Sequence, residues 1–332
     1  MQVPFFSVVI PLYNKQDFIS QTLNSVWSQE FQDFEVIVVD DGSTDSSLST
    51  VQQFRDSRLR VFTQQNQGVS SARNVGMKNA RAPWIAFLDA DDFWGIEHLM
   101  ELERLVLKYP EAGMVSSAFW EVKEESELVF SGRQLRVRTN LIDYFAAASR
   151  DISVVFSSSV AVAKKTASRI GGFQSVSYGE DLEYWARVAL HHPVAVSSRK
   201  TVAYVRGRDG AMENMEKVVE TKDLLDNTTL HSISPSVRML IEHLAHAKDI
   251  ELRRGSIIRY INSRLSSAIF QNWVCGNIDT VVLMSRLFLI PVTRESRKWY
   301  FFSRMPRVAI AVLQKARVAV RATYRFSRDY AF

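Results

Sequence analysis

The sequence predicts an α/β fold with a mostly parallel central sheet flanked by helices, followed by an all-helical region. Two observations predict the sheet: short apolar runs alternate with helical patterns up to residue 118, and polar residues follow the apolar runs. Such alternation is typical of parallel strands joined by helices. After residue 212 the patterns are helical only. We therefore predict a first domain over 1–212 and a helical region over 213–332.

The elements of the first domain follow from hydrophobic periodicity and from turn residues. Apolar runs predict buried strands at 5–10, 34–39, 59–62, 84–88 and 113–118, the first of them ended by Pro11. Helical patterns predict helices after Asn14 and at 46–54, 70–79 and 95–108. Further along, the pattern predicts serine-rich strand at 152–163, a turn at 171–173 and a helix at 179–188.

The strand at 84–88 runs abruptly into three carboxylates, Asp89, Asp91 and Asp92. Carboxylates this close repel one another, so they stay charged in a folded protein only with good solvation or a compensating positive charge. A divalent cation such as Mg2+ or Mn2+ prefers oxygen ligands and would supply that charge. A solvated turn that caps the next helix explains the same residues without a ligand, and this stretch alone favours neither interpretation.

Polar side chains also follow the other strands, at Tyr13, Asp41 and Asn66. Because the carboxyl ends of parallel strands share one edge of a sheet, these groups are expected to converge on one ligand. The residues after the first strand form neither a dinucleotide-binding glycine motif nor a P-loop. A nucleotide diphosphate fits better: Tyr13 stacks on the base, Asp41 accepts a base N–H, and a metal at Asp91 neutralises the phosphates.

Composition excludes several other kinds of site. The single cysteine, Cys275, excludes an internal disulfide and a cysteine-based zinc site, and the six histidines show no metal-ligand spacing. No basic segment precedes the first apolar residues, and no uncharged run approaches the roughly 18 residues of a membrane span. These features predict a cytoplasmic protein.

Four motifs stand in order along the first domain. They are Val-Val-Ile-Pro-Leu-Tyr-Asn at 8–14, Val-Asp-Asp-Gly-Ser-Thr-Asp at 39–45, Asn-Gln-Gly-Val-Ser-Ser-Ala-Arg-Asn at 66–74 and Leu-Asp-Ala-Asp-Asp at 88–92. Together they resemble glycosyltransferase family 2, the inverting enzymes of GT-A fold that use nucleotide-sugar donors. The resemblance extends from about residue 5 to about residue 212, which implies that 1–212 is a GT-A catalytic domain.

The resemblance implies a role for each matching residue. Asp41 binds the base, usually uracil, and Arg73 approaches the ribose or the diphosphate. Asp89 hydrogen-bonds the ribose or a metal-bound water. The implied nucleotide-sugar site comprises Pro11, Tyr13, Asp41, Asn66, Arg73 and Asp89.

The implied metal site holds Mn2+ or Mg2+. Asp91 binds the metal directly, Asp89 belongs to the same site, and Asp92 is an outer-shell partner. Two residues of the matching motifs also have explanations that need no ligand. Asp40 is expected only to cap a helix, and a surface salt bridge explains Arg73 equally well.

Glu180 and Asp181 follow Gly179 at the predicted start of a helix. Acids at a helix N-terminus are stabilising in themselves. In family 2, a Gly-Glu-Asp motif before an aromatic helix contains the catalytic base, and Asp181 matches it. The helix N-terminus is expected to lower the pKa of Asp181 and keep it deprotonated. Glu180 is expected to orient the acceptor or the sugar, and Trp185 to pack in the core rather than stack on a sugar.

One stretch departs from the family pattern. Many relatives have a histidine after the next strand that completes the metal site, whereas residues 202–210 contain none. Arg206 or Arg208 would then contact the diphosphate, or Asp209 would serve the metal, and the third metal ligand is left open.

The C-terminal region is basic. Residues 286–332 carry eleven Lys or Arg and two acids, a net charge of +9, so the rest of the chain carries −4 of the total of +5. Basic helices with aromatic residues favour anionic membrane surfaces, which predicts peripheral contact with the cytosolic face of a membrane through 284–332. A helical subdomain that packs on the catalytic domain, or that forms a homo-oligomer, explains the same pattern. No nucleic-acid-binding module is recognised.

These interpretations predict a metal-dependent inverting hexosyltransferase. It would move a sugar from a UDP-sugar to a hydroxyl of a glycan or lipid-linked glycan in cell-surface polysaccharide synthesis. The alternative is a non-catalytic nucleotide-sugar-binding or scaffolding protein with a degenerate site, which the missing histidine keeps open. A nucleotidyltransferase would share the carboxylate metal site, but it needs an Arg/Lys/Gly-rich loop where residues 11–14 are Pro-Leu-Tyr-Asn.

Overall fold

The computed structural model of the chain describes residues 3–122, 136–176, 178–205, 234–246 and 251–275, with short pieces at 281–282, 284–285, 297–299, 301 and 304–305. The chain divides into two compact units, Met1–Gly210 and Ala211–Phe332. Several predicted functional residues lie outside the described ranges: Arg206, Arg208, Asp209 and most of the basic segment 284–332.

The described residues of the first unit form one nine-stranded sheet. Its strands are β1 (Phe6–Leu12), β2 (Phe34–Asp40), β3 (Leu59–Thr63), β4 (Trp84–Phe87), β5 (Phe93–Trp94), β6 (Met114–Val122), β7 (Thr139–Ile142), β8 (Val160–Ala163) and β9 (Val194–Val205). They lie in the order β3-β2-β1-β4-β8-β6-β9-β5, and β7 pairs with β9. β1 to β4 pair in parallel, whereas β8 is antiparallel to both of its neighbours. The sheet is therefore parallel in its first half and mixed in its second.

Helices cover the sheet and bury its apolar strands. In the first unit they are α1 (Ile19–Trp27), α2 (Ser47–Gln52), α3 (Val69–Asn79), α4 (His98–Lys108), α5 (Tyr144–Ala148), α6 (Lys164–Ile170) and α7 (Glu180–His191). All residues of β1, β2 and β4 are buried, and α1 and α4 pack into the same core. Continuous apolar strands of this kind are expected where a parallel sheet is covered on both faces.

Three details differ from the predicted elements. Pro11 does not end β1, which continues to Leu12. The pairing of β1 with β4 ends at Val9, so the missing N–H of Pro11 is tolerated there as on an edge strand. The predicted strand at 152–163 is strand only over Val160–Ala163, after two single-turn 3-10 helices. β5 was not predicted, because two residues are too short to give a periodicity signal.

The described part of the second unit contains the helices α8 (Pro235–His246) and α9 (Glu251–Cys275). The helix start predicted near Pro235 is confirmed. Leu240 of α8 and Ile261 of α9 are buried, and the Tyr260 hydroxyl donates to Oγ of Ser236 at 3.0 Å. Within the residues described, no helix combines the length and the apolar character that a membrane crossing requires.

Candidate active site

Helix α3 brings an arginine to the carboxyl edge of the parallel strands. α3 lies so close to β1 that a Cβ on Gly76 would come within 2.3 Å of Cγ1 of Val9. A glycine is needed for that approach. Arg73 lies on the same face of the helix, three residues earlier, and is only 3% exposed.

Arg73 joins the two halves of the predicted site. Its guanidinium donates to Oδ1 of Asp89 at 2.7 Å and to Oε1 of Glu180 at 2.9 Å, and it lies over the ring of Phe173. Burial alone would lower the pKa of Arg73, but the carboxylates of Asp89 and Glu180 raise it above its ordinary value. The charged arginine therefore ties the end of β4 to the start of α7 as a buried bridge, and the surface salt bridge considered for it is wrong.

The start of α7 presents two acids to this bridge. The residue before the helix, Gly179, has φ 70 and ψ 27, a left-handed conformation that glycine adopts without strain. Glu180 contacts Arg73 as described. The Asp181 carboxylate accepts from Oγ of Ser157 at 3.3 Å and from the backbone N–H of Leu182 at 2.7 Å.

The prediction that the pKa of Asp181 is lowered is wrong. Burial raises the pKa of Asp181 to about 6; Glu180 adds to this rise and Arg73 opposes it. Removal of a carboxylate from water disfavours its charged form, and here that cost exceeds the benefit of the helix N-terminus. Asp181 thus changes protonation near neutral pH, where a general base is most effective.

Two adjacent carboxylates after β4 lie in different surroundings. Asp91 is partly exposed, and its Oδ2 is 2.7 Å from Nζ of Lys15. Asp92 is buried and accepts from Oγ of Ser158, which itself accepts from the backbone N–H of Asp89 at 3.1 Å. Burial, with Asp89 and Asp91 nearby, raises the pKa of Asp92 well above its usual range. The hydrogen bond from Ser158 anchors Asp92 and, through the N–H of Asp89, the loop after β4.

Asp41 is buried and its carboxylate organises the loop that follows β3. It accepts hydrogen bonds from Nε2 of Gln64 at 2.6 Å, the N–H of Gln67 at 2.9 Å and the N–H of Gly68 at 2.8 Å. These contacts fix the loop just before α3. The contact of Asp41 with a nucleotide base stays a prediction.

Asp40 does not cap a helix as predicted. Its Oδ1 accepts from the N–H of Ser43 at 3.3 Å, within the turn after β2. The carboxylate that reaches the start of α2 is that of Asp45, which accepts from the N–H of Ser47 at 2.9 Å. Residues 41–46 separate Asp40 from Ser47, the first residue of α2, and the Asp40 carboxylate bonds within this turn instead.

The remaining predicted residues differ in exposure. Tyr13 is 44% exposed just after β1, where its ring is open to stacking. Asn66 is exposed as well, whereas Pro11 is buried within β1. Trp185 is completely buried against Phe87 and Phe173, so the prediction that it packs in the core is confirmed.

Three residues of the site were missed by the sequence analysis: Lys15, Ser157 and Ser158. Lys15 follows the first motif directly, so the rule that ligands gather at the carboxyl ends of strands could have included it. The two serines gave no such signal, because their segment was predicted to be strand.

The carboxylates at the end of β4 fit a divalent metal. Asp89 and Asp91 offer oxygen ligands, and their side chains are 29% and 22% exposed. Arg73 and Lys15 compensate their charge, as a divalent cation would. Among the residues that the structure describes, no cluster of three or more Asp, Glu, His or Cys is placed to hold a metal. The third ligand stays open, since its candidate Asp209 lies outside the described residues.

Residues 7–156 match the family model described as Glycosyl transferase family 2. An uncharacterized glycosyltransferase of Haemophilus influenzae is 41% identical over 96 residues, which are 28% of this chain and 38% of that protein. An uncharacterized glycosyltransferase of Rickettsia bellii is 25% identical over 254 residues, 74% of this chain and 36% of that protein. The chain thus covers well under half of the length of these relatives.

Solved structures share the fold. The crystal structure of Staphylococcus aureus TarS 1-349 in complex with UDP-GlcNAc matches with a TM-score of 0.58 at 19% identity and covers 94% of this chain and 92% of that one. A mannosyltransferase, PcManGT from Pyrobaculum calidifontis in complex with GDP-Man and Mn2+, matches with a TM-score of 0.56 at 16% identity over 95% and 87% of the two chains. At these identities the likeness shows the fold, and the predicted GT-A fold is confirmed.

Proposed function

We propose that this chain, whose residues 7–156 match the model described as Glycosyl transferase family 2, transfers a sugar from a nucleotide-sugar donor to an acceptor hydroxyl with inversion. One observation carries the proposal. Arg73 binds both Asp89 after β4 and Glu180 at the start of α7, which supports a single site that includes Asp89 and the proposed base, Asp181.

Asp181 is the proposed general base of a single displacement. The acceptor oxygen attacks the anomeric carbon from the face opposite the nucleotide, and the bond from that carbon to the diphosphate oxygen breaks with its electron pair. The hydroxyl proton passes to the Asp181 carboxylate, which Ser157 and the N–H of Leu182 hold in place. A carboxyl whose pKa is about 6 accepts this proton near neutral pH.

Asp89 and Asp91 are the residues proposed to hold a divalent cation, which when bound supplies positive charge to the leaving diphosphate. Glu180 is proposed to act on the cation site through Arg73. The arginine that Glu180 binds also holds Asp89. Tyr13 is proposed to stack on the base, and Asp41 keeps the loop at 64–68 in place beside it.

A UDP-hexose is the proposed donor because a structure of the same fold, TarS, is in complex with UDP-GlcNAc. The proposed acceptor is a glycan or lipid-linked glycan of a cell-surface polysaccharide. Peripheral membrane contact through 284–332 is proposed from the basic composition of that segment.

Donor turnover tests the proposal. Purified chain is incubated with UDP-glucose, UDP-galactose, UDP-GlcNAc or GDP-mannose, with Mn2+, Mg2+ or chelator, and release of nucleoside diphosphate is measured. We expect slow hydrolysis of one donor that chelator stops and Asp91→Asn abolishes. The matched control is Asp33→Asn, an exposed acid that precedes β2 at the opposite edge of the sheet.

Two other results would count against transfer. Nucleotide binding by calorimetry without turnover of any donor, even with membrane and glycan extracts as acceptors, would favour a non-catalytic binding protein. No binding of any nucleotide would contradict the proposed site itself.

A further inference from the structure

A lysine lies at the place where the divalent cation is proposed to bind. The Lys15 ammonium is 2.7 Å from Oδ2 of Asp91, and the two side chains are 19% and 22% exposed. The backbone N–H of Lys15 donates to Oγ of Ser47 at 2.7 Å, and Asn14 before it has a positive φ of 51. The loop after β1 therefore fixes the root of this side chain beside Asp91.

An ammonium group and a divalent cation compete for the same carboxylate oxygen. Like charges a few ångströms apart repel strongly, the more so where solvent is partly excluded. A metal that binds Asp91 must therefore displace Lys15 from Oδ2. The displaced ammonium lies at the carboxyl edge of the sheet, where a donor diphosphate would offer it a new anionic partner.

We propose that Lys15 couples metal binding to nucleotide binding. Its ammonium holds the cation position at Asp91 when no donor is bound and moves to the diphosphate when the metal takes Asp91. The inference rests on the proposed function, because it requires a nucleoside diphosphate as ligand. It implies that Mn2+ and the nucleotide strengthen the binding of each other by the same factor.

The test is a titration of the full chain with Mn2+, read as the free Mn2+ signal in electron paramagnetic resonance, with and without UDP. In Lys15→Met the competing ammonium is gone, so we expect about fivefold tighter Mn2+ binding without UDP. The further gain in Mn2+ affinity on addition of UDP should shrink, because the diphosphate has lost its ammonium partner.

Three further variants separate competition from other effects. Lys15→Arg keeps a cation beside Asp91 and should keep the weak Mn2+ binding of the wild type. Lys165→Met removes an exposed lysine from α6 and should leave Mn2+ binding unchanged. In the Asp91→Asn background Lys15→Met should no longer tighten Mn2+ binding, because the shared carboxylate is absent.

Unchanged or weaker Mn2+ binding by Lys15→Met would overturn the inference, as would an undiminished effect of UDP. Failure of the proposed function looks different: no variant binds UDP or GDP at any Mn2+ concentration. If Lys15→Met still bound Mn2+ more tightly in that case, the move of Lys15 to a diphosphate would be refuted and its competition with the metal supported.

Discussion

The parallel strands have an amino edge, where they begin, and a carboxyl edge, where they end. The carboxylates at these two edges differ in how their charge is compensated. At the amino edge, Glu35 of β2 is 5% exposed and is saturated with donors. Its carboxylate accepts from Oγ of Ser7 at 2.7 Å, from the N–H of Arg81 at 2.7 Å and from the guanidinium of Arg60 at 3.0 Å. One acid with three donors, from β1, β3 and the loop before β4, stabilises the fold and needs no ligand.

At the carboxyl edge, several acids share few cations. The side-chain cations paired with them in the described part of the chain are Lys15 and Arg73. Four carboxyl groups gather around these two: Asp89, Asp91, Glu180 and Asp181. These acids are the groups at which we propose that a cationic ligand binds, and Glu180 and Asp89 also help to keep the pKa of Asp181 high.

The largest difference between the edges should appear in catalysis. Asp181→Asn removes the proposed base, so the rate of sugar transfer should fall by about 10²- to 10⁴-fold while UDP affinity, measured by calorimetry, stays the same. Asp33→Asn before β2 should keep the full rate. A rate in Asp181→Asn within about tenfold of wild type would assign the base to another residue.

A second difference concerns stability and metal. Arg73→Met leaves Asp89 and Glu180 uncompensated and should lower the free energy of unfolding by about 2 kcal/mol, less than for a fully buried pair because both acids are partly exposed. Added Mg2+ should restore part of the lost free energy of unfolding, as measured by urea denaturation. Arg60→Met is the matched control, because Glu35 keeps two other donors and is too buried to bind metal. Equal responses of the two variants to Mg2+ would remove the distinction between the edges.

The pH dependence of transfer should come from the carboxyl edge. Asp181 must be ionised to accept a proton, so the rate should rise with pH, reach half of its maximum near pH 6 and level off above that. The same raised pKa favours the neutral form in the folded state. Asp181 therefore contributes stability below its ordinary pKa of 3.8 that is lost as the pH rises through about 6. Rate profiles and urea denaturation should both lose these features in Asp181→Asn; a profile unchanged by that substitution would contradict the assignment.

The smallest expected effect concerns the hydrogen bond from Ser157 to the proposed base, Asp181. Ser157→Ala removes the hydroxyl that donates to Asp181 at 3.3 Å, a bond that favours the ionised carboxylate. The rise of the transfer rate should shift to higher pH by about half a unit, with the rate at pH 8 nearly unchanged. A shift to lower pH would show that this hydroxyl does not stabilise the ionised form.

Much of the fold could be predicted because the relevant signals are local. β1, β2 and β4 are buried throughout, so they appear in the sequence as mainly apolar runs with few polar residues. The polar residues after these strands could likewise be placed at one edge from topology alone. The antiparallel half of the sheet gave weaker signals, since β5 has two residues and β8 has four.

The contacts within the site could not be predicted in the same way. Arg73 binds partners 16 and 107 residues away, and no spacing in the sequence encodes which acids an arginine will meet. The pKa of Asp181 depends on its burial, which arises only when α7 packs beside the serine-rich segment at 152–163. Local reasoning considered only the helix N-terminus and so predicted the wrong direction.

The most direct test of the carboxyl-edge site is a crystal structure of the chain with UDP and Mn2+, with anomalous data collected for manganese. We expect a manganese peak in contact with the carboxylate of Asp91, the diphosphate beside it, and Lys15 turned from Asp91 toward the phosphates. Bound UDP with no manganese at Asp91, and Lys15 still paired with that carboxylate, would contradict the proposed site.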